Sequence, residues 1–343
     1  MTNNVFRKSF VIVIIILFLG ASILPSISGI NENIINNESN KSNGKLIVEY
    51  FEVWWKWNES NCPSEYEWNI TCFNKIQDAI NKAPTGCLIQ VYNGTYNENI
   101  IIDKKSSITL QGELPNPGNV TIRGNGIEDV IKITGAFGSR VHNITIQYLN
   151  ITNGIIGNGI DVKFSDITTI TYCNIMSCSN GVHTLHTADD VISHNKILNN
   201  SVGFSLELSD RTKVEFCRIY YNDFGIATDS SDMFDILNND IRDSKQIGLM
   251  IIRDVWPSGL NEIKYNNFIN NHISGKYKQD ATFLNCHNDW SDNYWREHII
   301  PGIKLIFGAW QTQIQIIRFM MIEMDEHIKE GDPYVIIPWE GDP

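Results

Sequence analysis

The sequence has few basic side chains and no cluster of them. Its 343 residues contain 27 Lys and Arg against 39 Asp and Glu, so the formal net charge at pH 7 is −12. Binding to nucleic-acid phosphates depends on clustered Lys and Arg side chains. We therefore expect no nucleic-acid partner.

Long apolar runs are scarce as well. The main one, Phe10–Leu19, is shorter than the roughly 20 residues that cross a bilayer, although counting on to Leu24 brings an uncleaved anchor within reach. With Arg7 before it and small residues after it, residues 1–29 are predicted to be a secretory signal peptide or an N-terminal anchor. Residues 30–44 are Asn-rich and predicted to be a solvated linker. The protein is thus expected outside the cell or on its surface, touching membrane only through its N-terminal segment.

The chain does contain a repeat with a 22-residue period. A unit of this length cannot bury its own apolar face, so copies must stack into a solenoid. Each unit ends in a glycine followed by an apolar residue, and a fifth copy, Ile263–Phe268, follows after an insertion. The four regular copies are Ile170–Ile175, Ile192–Ile197, Val214–Ile219 and Ile236–Ile241.

The domain plan follows from this period and from the segments around it. Short apolar runs from Leu88 onward predict an all-β, single-stranded parallel β-helix over residues 87–284. Residues 45–86 are predicted to form an N-terminal cap, because Phe73, Ile76 and Ile80 recur at helical spacing. Residues 285–343 are predicted to form an irregular C-terminal cap.

One repeat position combines cysteine with asparagine, and we predict that it forms a structural ladder at a turn. Cys173 and Cys217 lie two coils apart, roughly 9–10 Å at one strand spacing per coil, which exceeds the ~7 Å limit for a disulfide. Cys62 and Cys72 flank a polar loop and are a possible disulfide. The ladder residues are Cys173, Asn195, Cys217, Asn239 and Asn266.

A second set of positions is predicted to form one outward face. If Val182 and Phe204 point inward, period-two alternation sends the residues two and four places after each glycine outward. These side chains could bind a sugar acid or a divalent ion; the alternative is an ordinary polar surface. The candidates are Asp161, Lys163, His183, Glu207 and Asp229.

The histidines supply a weak metal hypothesis. His183, His186 and His194 with Asp189 carry ligand atoms suited to copper or zinc, but their spacing matches no compact metal motif. We expect scattered histidines on polar turns, and no metal or other cofactor.

The segments Ile76–Ile80, Ile89–Ile102 and Ile108–Gly112, with the later Asn-rich units and Asn293-Tyr294-Trp295, resemble right-handed parallel β-helix proteins of the pectin-lyase-like fold. They are most similar to the NosD-type periplasmic copper-binding repeat proteins and related archaeal surface proteins. The resemblance implies a right-handed solenoid. It carries a copper association in its name, but no Met-rich or Cys-rich cluster supports that metal here, and the catalytic set of pectin methylesterases is missing.

Three functions remain open at this stage. The first is an exported, non-enzymatic β-helix that is structural or binds a polysaccharide or surface glycan. The second is a polysaccharide lyase or hydrolase that acts on the outward face. The third is a NosD-like accessory protein associated with a metal.

Overall fold

The structure is a computed structural model of the whole chain. It describes residues 50–113, 119–252, 261–271, 281–284, 288–296, 304–311, 318–325, 327–329 and 333–334. The signal or anchor predicted at 1–29 and the linker predicted at 30–44 lie outside the described residues. Among the described residues, no helix is long and apolar enough to cross a membrane.

Short strands make up almost all of the regular structure. The first half of the chain contains β1 Tyr50–Val53, β2 Cys72–Phe73, helix α1 Ile76–Lys82, β3 Leu88–Val91, β4 Gly94–Tyr96, β5 Ile100–Asp103, β6 Thr109–Gly112, β7 Val120–Arg123, β8 Ile131–Thr134, β9 Val141–His142, β10 Thr145–Gln147, β11 Asn150–Thr152, β12 Ile160–Lys163, β13 Ser165–Asp166, β14 Thr169–Thr171 and β15 Asn174–Met176. The second half contains β16 Asn180–Leu185, β17 Val191–Ser193, β18 Lys196–Leu198, β19 Val202–Glu207, β20 Lys213–Glu215, β21 Arg218–Tyr220, β22 Phe224–Asp229, β23 Asp235–Leu237, β24 Asp240–Arg242, β25 Ile247–Ile252, β26 Asn261–Lys264, β27 Asn267–Ile269, β28 Ala281–Leu284, β29 Asn288–Ser291, β30 Tyr294–Trp295, β31 Lys304–Gln311 and β32 Arg318–Asp325.

All of these strands except β9 and β13, which pair with each other, form three long sheets, and each complete coil contributes one strand to each sheet. Sheet A runs β2-β1-β3-β6-β10-β14-β17-β20-β23-β26-β29, sheet B runs β30-β27-β24-β21-β18-β15-β11-β7-β4, and sheet C runs β32-β31-β28-β25-β22-β19-β16-β12-β8-β5. Apart from the β31–β32 hairpin, all their pairings are parallel. The fold is a right-handed parallel β-helix of about nine coils, as predicted.

The 22-residue period sets the register. Ile170 pairs with Ile192, Ile192 with Val214, and Val214 with Ile236, so each repeat lies directly on the next. These inward side chains are completely or almost completely buried. Removing such rows of Ile and Val from water is the main driving force for stacking.

The repeated glycine is needed where coils approach closely. A Cβ on Gly203 would lie 2.4 Å from the carbonyl oxygen of Gly225, and one on Gly225 would lie 2.4 Å from that of Gly248. No side chain fits at those distances, so the glycine of each unit permits strand stacking at the start of sheet C.

The start of the described chain is closed by strand β1, helix α1 and a disulfide. Strand β1 pairs in parallel with both β2 and β3. The buried residues of α1 include Ile76 and Ile80, and Glu98 accepts hydrogen bonds from the first backbone amides of the helix. The Cys62–Cys72 disulfide fastens the preceding loop to β2.

Parallel pairing continues beyond residue 284, where the C-terminal cap was predicted to begin. Strand β29 pairs with β26 and β30 pairs with β27. Trp290 and Trp295 take the inward places of Ile263 and Phe268 and are buried. An aromatic side chain thus takes the place of an aliphatic one at Trp290, whereas Trp295 follows another aromatic residue, Phe268.

Candidate functional site

The Asn and Cys residues of the predicted ladder lie inside the turn between sheets A and B. Asn195 Oδ1 accepts a hydrogen bond from the Cys173 amide at 2.8 Å, and Asn195 Nδ2 donates to the Ile170 carbonyl at 2.8 Å. In the same way, Asn239 Oδ1 accepts a hydrogen bond from the Cys217 amide, and Asn239 Nδ2 donates one to the Val214 carbonyl. Burial raises the pKa values of the Cys173 and Cys217 thiols to about 12, so neither is a nucleophile at neutral pH. This column satisfies buried backbone groups.

A second ladder, which the sequence analysis missed, lies in the turn between sheets B and C. Asn200 Oδ1 accepts from the Cys178 amide at 2.9 Å, and Asn222 Oδ1 accepts from the Asn200 amide at 2.9 Å. The 22-residue spacing of Cys178, Asn200 and Asn222 was the signal that could have found it. Its continuation includes Asn271, which accepts a hydrogen bond from the Ser244 amide.

The outward candidates lie on adjacent coils of sheet C. Asp161 is in register with His183, and Lys163 is in register with Leu185 and then Glu207. Asp229 follows Glu207 in the next coil. The structure therefore brings the candidates to one face of the solenoid.

Four of these side chains form a connected set that we call the Asp161 network: Asp161, Lys163, His183 and Glu207. His183 Nδ1 lies 2.6 Å from Asp161 Oδ1, and Lys163 Nζ lies 3.0 Å from Asp161 Oδ2. The other imidazole nitrogen, Nε2, lies 3.4 Å from Glu207 Oε1. One buried carboxylate thus orients an imidazole and an ammonium group.

The network has a buried half and an open half. Asp161 has no exposed surface and His183 is buried, whereas the side chains of Lys163 and Glu207 are 30% and 45% exposed. Burial acts to raise the pKa of Asp161, but hydrogen bonds from His183 and Lys163 outweigh it and hold the pKa below its usual range. Asp161 therefore stays ionised in a buried place.

Nearby amides extend this network toward the preceding coils. The side-chain Nδ2 of Asn158 lies 3.4 Å from Asp161 Oδ1, and the backbone N–H of Asn158 donates a hydrogen bond to Asp129 Oδ1 at 2.9 Å. Burial raises the pKa of Asp129. Shifted pKa values of this kind cluster at functional sites.

The chemistry available to His183 depends on Glu207. Both ring nitrogens face carboxylates, so the imidazole has no free edge while Glu207 holds this position. Because the Glu207 side chain is nearly half exposed, a ligand that draws it away would free Nε2. Asp229 adds a further carboxylate, which accepts a hydrogen bond from Ser230 Oγ at 3.0 Å.

The weak metal candidates do not converge. His186 stacks on Phe164, with ring centroids 5.1 Å apart, and His194 stacks between two other rings. Asp189 is paired with Arg211 at 2.6 Å. In the part of the chain that the structure describes, no group of three or more His, Cys, Asp or Glu side chains is placed to hold a metal ion.

Two columns of left-handed residues mark the corners of the solenoid on either side of sheet B. We call the first the A/B column: Tyr148, Tyr172, His194 and Phe216, with φ between 53° and 58°. Their rings stack with centroids 5.0–5.1 Å apart. The second is the B/C column: Asn153, Ser177, Asn199, Tyr221 and Asp243, with φ between 55° and 69°.

A cavity of about 310 Å³, which we call the corner notch, lies along the B/C column. The short side chains of Ser177 and Asn199 line its middle, with Ile155 at one end and Tyr221 at the other. Asp223 and Lys245 also line it, and Cys178 and Asn200 belong to the ladder beneath. None of the residues that line the notch is among the outward candidates predicted from the sequence.

Comparison with protein families gives one assignment. The model of the family described as periplasmic copper-binding protein (NosD) matches residues 80–305, more than half of the chain. The chain belongs to this family. The NosD match and the β-helix architecture confirm the resemblance noted in the sequence.

The solved structures to which this NosD-family chain is similar have low sequence identity to it and TM-scores below 0.5. ORF18 of Geobacillus virus E2 is 15% identical with a TM-score of 0.48, over 69% of this chain and 57% of the viral one. The A-module of the Azotobacter vinelandii mannuronan C-5 epimerase AlgE4 is 18% identical with a TM-score of 0.46, over 64% and 68%. The Arthrobacter chlorophenolicus A6 DFA-IIIase is 11% identical with a TM-score of 0.47, over 74% and 88%. No curated protein sequence matches the chain.

The copper in the family description does not fit the described donor groups. Copper sites use converging imidazole nitrogens or sulfur ligands. In this chain Asp161 and Glu207 flank the nitrogens of His183, and His186 and His194 belong to ring stacks. The described residues therefore give no basis for a step that uses copper.

Proposed function

We propose that the protein is exported to the periplasm or the cell surface and binds a glycan, without turnover, on the outer face of sheet C. The family description, periplasmic, supports export, as does the apolar N-terminal segment with its preceding basic residues. The β-helix is the rigid scaffold that presents this face.

The Asp161 network is the observation that carries this proposal. A buried ion pair is a poor means of stabilising a fold, because desolvation offsets its attraction. Asp161 is nevertheless ionised and fully buried, and it fixes Lys163 and His183. That arrangement preorganises the groups that reach solvent, which is a requirement of a binding site.

The exposed groups suit the hydroxyl and carboxyl groups of a sugar. Lys163 donates hydrogen bonds, whereas Glu207 and Asp229 accept them. A glycan carboxylate would lie toward Lys163, and hydroxyl groups would donate to Glu207 and Asp229. The cation on β12 and the two anions on β19 and β22 lie two and three coils apart, and this spacing favours an extended ligand over a single ion.

A second candidate function is a polysaccharide lyase or hydrolase acting at the same face. The observation that favours it is the imidazole of His183, which is oriented by a carboxylate at 2.6 Å and approaches a second one at 3.4 Å. Such a geometry supports general acid–base catalysis once Nε2 is released.

The test is glycan binding by the full chain and three variants, using polygalacturonate, alginate and neutral glucans as probes in calorimetry. Lys163→Gln and Glu207→Gln should each weaken binding of the recognised polymer by about tenfold. Glu262→Gln is the matched control, because its side chain is 46% exposed, against 45% for Glu207, and it lies on sheet A. That variant should bind like the wild type.

Two results would contradict the proposal. Undiminished binding by Glu207→Gln and Lys163→Gln would remove the sheet C face from recognition. Release of reducing ends or unsaturated products from a polymer, abolished by His183→Ala or Glu207→Ala, would replace binding without turnover by the enzymatic candidate.

A further inference from the structure

The corner notch arises from a break in side-chain size along the B/C column. Ser177 and Asn199 occupy two successive coils, and Tyr221 follows in the third. On the other side lies Ile155, which belongs to a longer turn and is 65% exposed. Two coil spacings of about 4.8 Å each separate Ser177 from Tyr221, which leaves a gap wide enough for a ring.

Tyr221 presents a ring without stacked partners from its own column. The side chain is 54% exposed, and its neighbours above and below in the column are Asn199 and Asp243. Its contact with Tyr220 is edge-on, with an interplanar angle of 73°. In the A/B column, by contrast, each ring lies nearly flat on the next.

The polar groups around the notch are balanced in charge. Lys245 Nζ lies 2.7 Å from Asp223 Oδ1, and these two charges cancel. Ser177 and Asn199 add hydroxyl and amide groups at the surface. Balanced charge with several hydrogen-bonding groups favours a neutral, hydroxylated ligand over an anion.

The floor of the notch is rigid. Asn200 is buried, and its side-chain amide donates to the Ile175 carbonyl and to Asn222 Oδ1 while its oxygen accepts from the Cys178 amide. Burial raises the pKa of the Cys178 thiol to about 11, so this group stays protonated. Because the hydrogen bonds of these floor residues are already formed, the residues lose little conformational entropy when a ligand binds.

We infer that the corner notch is a subsite for one neutral pyranose ring of a glycan, stacked on Tyr221 and hydrogen-bonded by Asn199, Asp223 and Lys245. The volume of about 310 Å³ is near the lower end of ligand-binding pockets, which span roughly 300–1,000 Å³. The apolar C–H face of the sugar would cover the tyrosine ring. The inference rests on the proposed glycan binding and adds a second contact on another surface.

The test uses the full chain with maltohexaose, cellohexaose and mannohexaose as neutral probes, followed by calorimetry and saturation-transfer NMR. Asn199→Tyr should fill the notch with a ring that stacks on Tyr221, as Tyr148 stacks on Tyr172, and should weaken binding at least about tenfold. Tyr221→Asn should weaken it similarly by removing the ring. Because Asn tolerates positive φ well, this variant should remain folded.

Tyr265→Asn is the matched control, since Tyr265 is 41% exposed with φ of 60° but lies at the other corner. Its binding should equal that of the wild type. Failure of all three neutral probes to bind, or binding undiminished by Asn199→Tyr, would overturn the inference.

The two proposals fail separately. If uronate polymers bind, Glu207→Gln weakens their binding and the neutral probes do not bind, the sheet C site is supported and the notch subsite is contradicted. If the neutral probes bind, Tyr221→Asn weakens that binding and Glu207→Gln changes the affinity for no probe, the notch subsite is supported and the sheet C site is contradicted.

Discussion

The two corners beside sheet B share a backbone but differ in what their outer side chains contact. Both place non-glycine residues at positive φ once per coil, and both have an asparagine ladder inside. In the A/B column the rings of Tyr148, Tyr172, His194 and Phe216 cover one another. In the B/C column only Tyr221 is aromatic, so its ring is available to a ligand. The four stacked rings of the A/B column thus support one another, whereas the ring of Tyr221 is left open beside the small side chains of the corner notch.

The largest expected effect concerns the inner ladders, where the two corners should behave alike. Asn195→Ala and Asn200→Ala each leave a buried amide and a buried carbonyl without partners. Each should lower the free energy of unfolding by about 2–4 kcal/mol, measured by urea denaturation. Asn199→Gly, one residue from Asn200 but on the outside, should change it by less than about 1 kcal/mol. Unequal losses at the two ladders would show that the corners differ inside as well.

An intermediate effect should separate the outer columns. Tyr172→Asn removes a ring stacked on both sides, and each contact is worth about 0.5–1.5 kcal/mol, so stability should fall by about 1–3 kcal/mol in the same denaturation experiment. The same substitution at Tyr221, where φ is 56° against 53°, should cost less than about 1 kcal/mol. Equal losses would contradict the distinction between stacked and open rings.

The smallest expected effect is the contribution of His194, in the A/B column, to the pH dependence of stability. Burial lowers the pKa of His194, and the charge of Glu215 only partly opposes this. The unfolded state therefore binds a proton more readily, and stability should fall as the pH drops from about 7.5 through the unfolded histidine value near 6.5. His194→Phe should reduce this slope while keeping the stack. An unchanged slope between pH 7.5 and 5.5 would show that His194 does not contribute to it.

The sequence predicted the fold well because a parallel β-helix repeats its register. The row Ile170, Ile192, Val214 and Ile236 and the glycines of sheet C were enough to place inward and outward positions. Period-two alternation also placed Asp161 beside His183. These features depend only on spacing along the chain.

Other features depend on side-chain size and on contacts between coils. Asp161 occupies an outward position but is fully buried, because Lys163, His183 and Asn158 close around it. The corner notch depends on two small side chains next to a tyrosine and on the longer turn that carries Ile155. Neither has a signature in the hydrophobic period. The inward positions of Trp290 and Trp295, which lie within the predicted C-terminal cap at 285–343, likewise follow from pairing between coils.

Hydroxyl-radical footprinting of the full chain, with and without the polysaccharide that it binds, tests the central claim most directly. Glycan binding at the proposed surfaces predicts that Lys163, Glu207 and Tyr221 become protected, while Tyr265 and the A/B column keep their reactivity. Protection of the A/B column, with Glu207 and Tyr221 unchanged, would contradict the account.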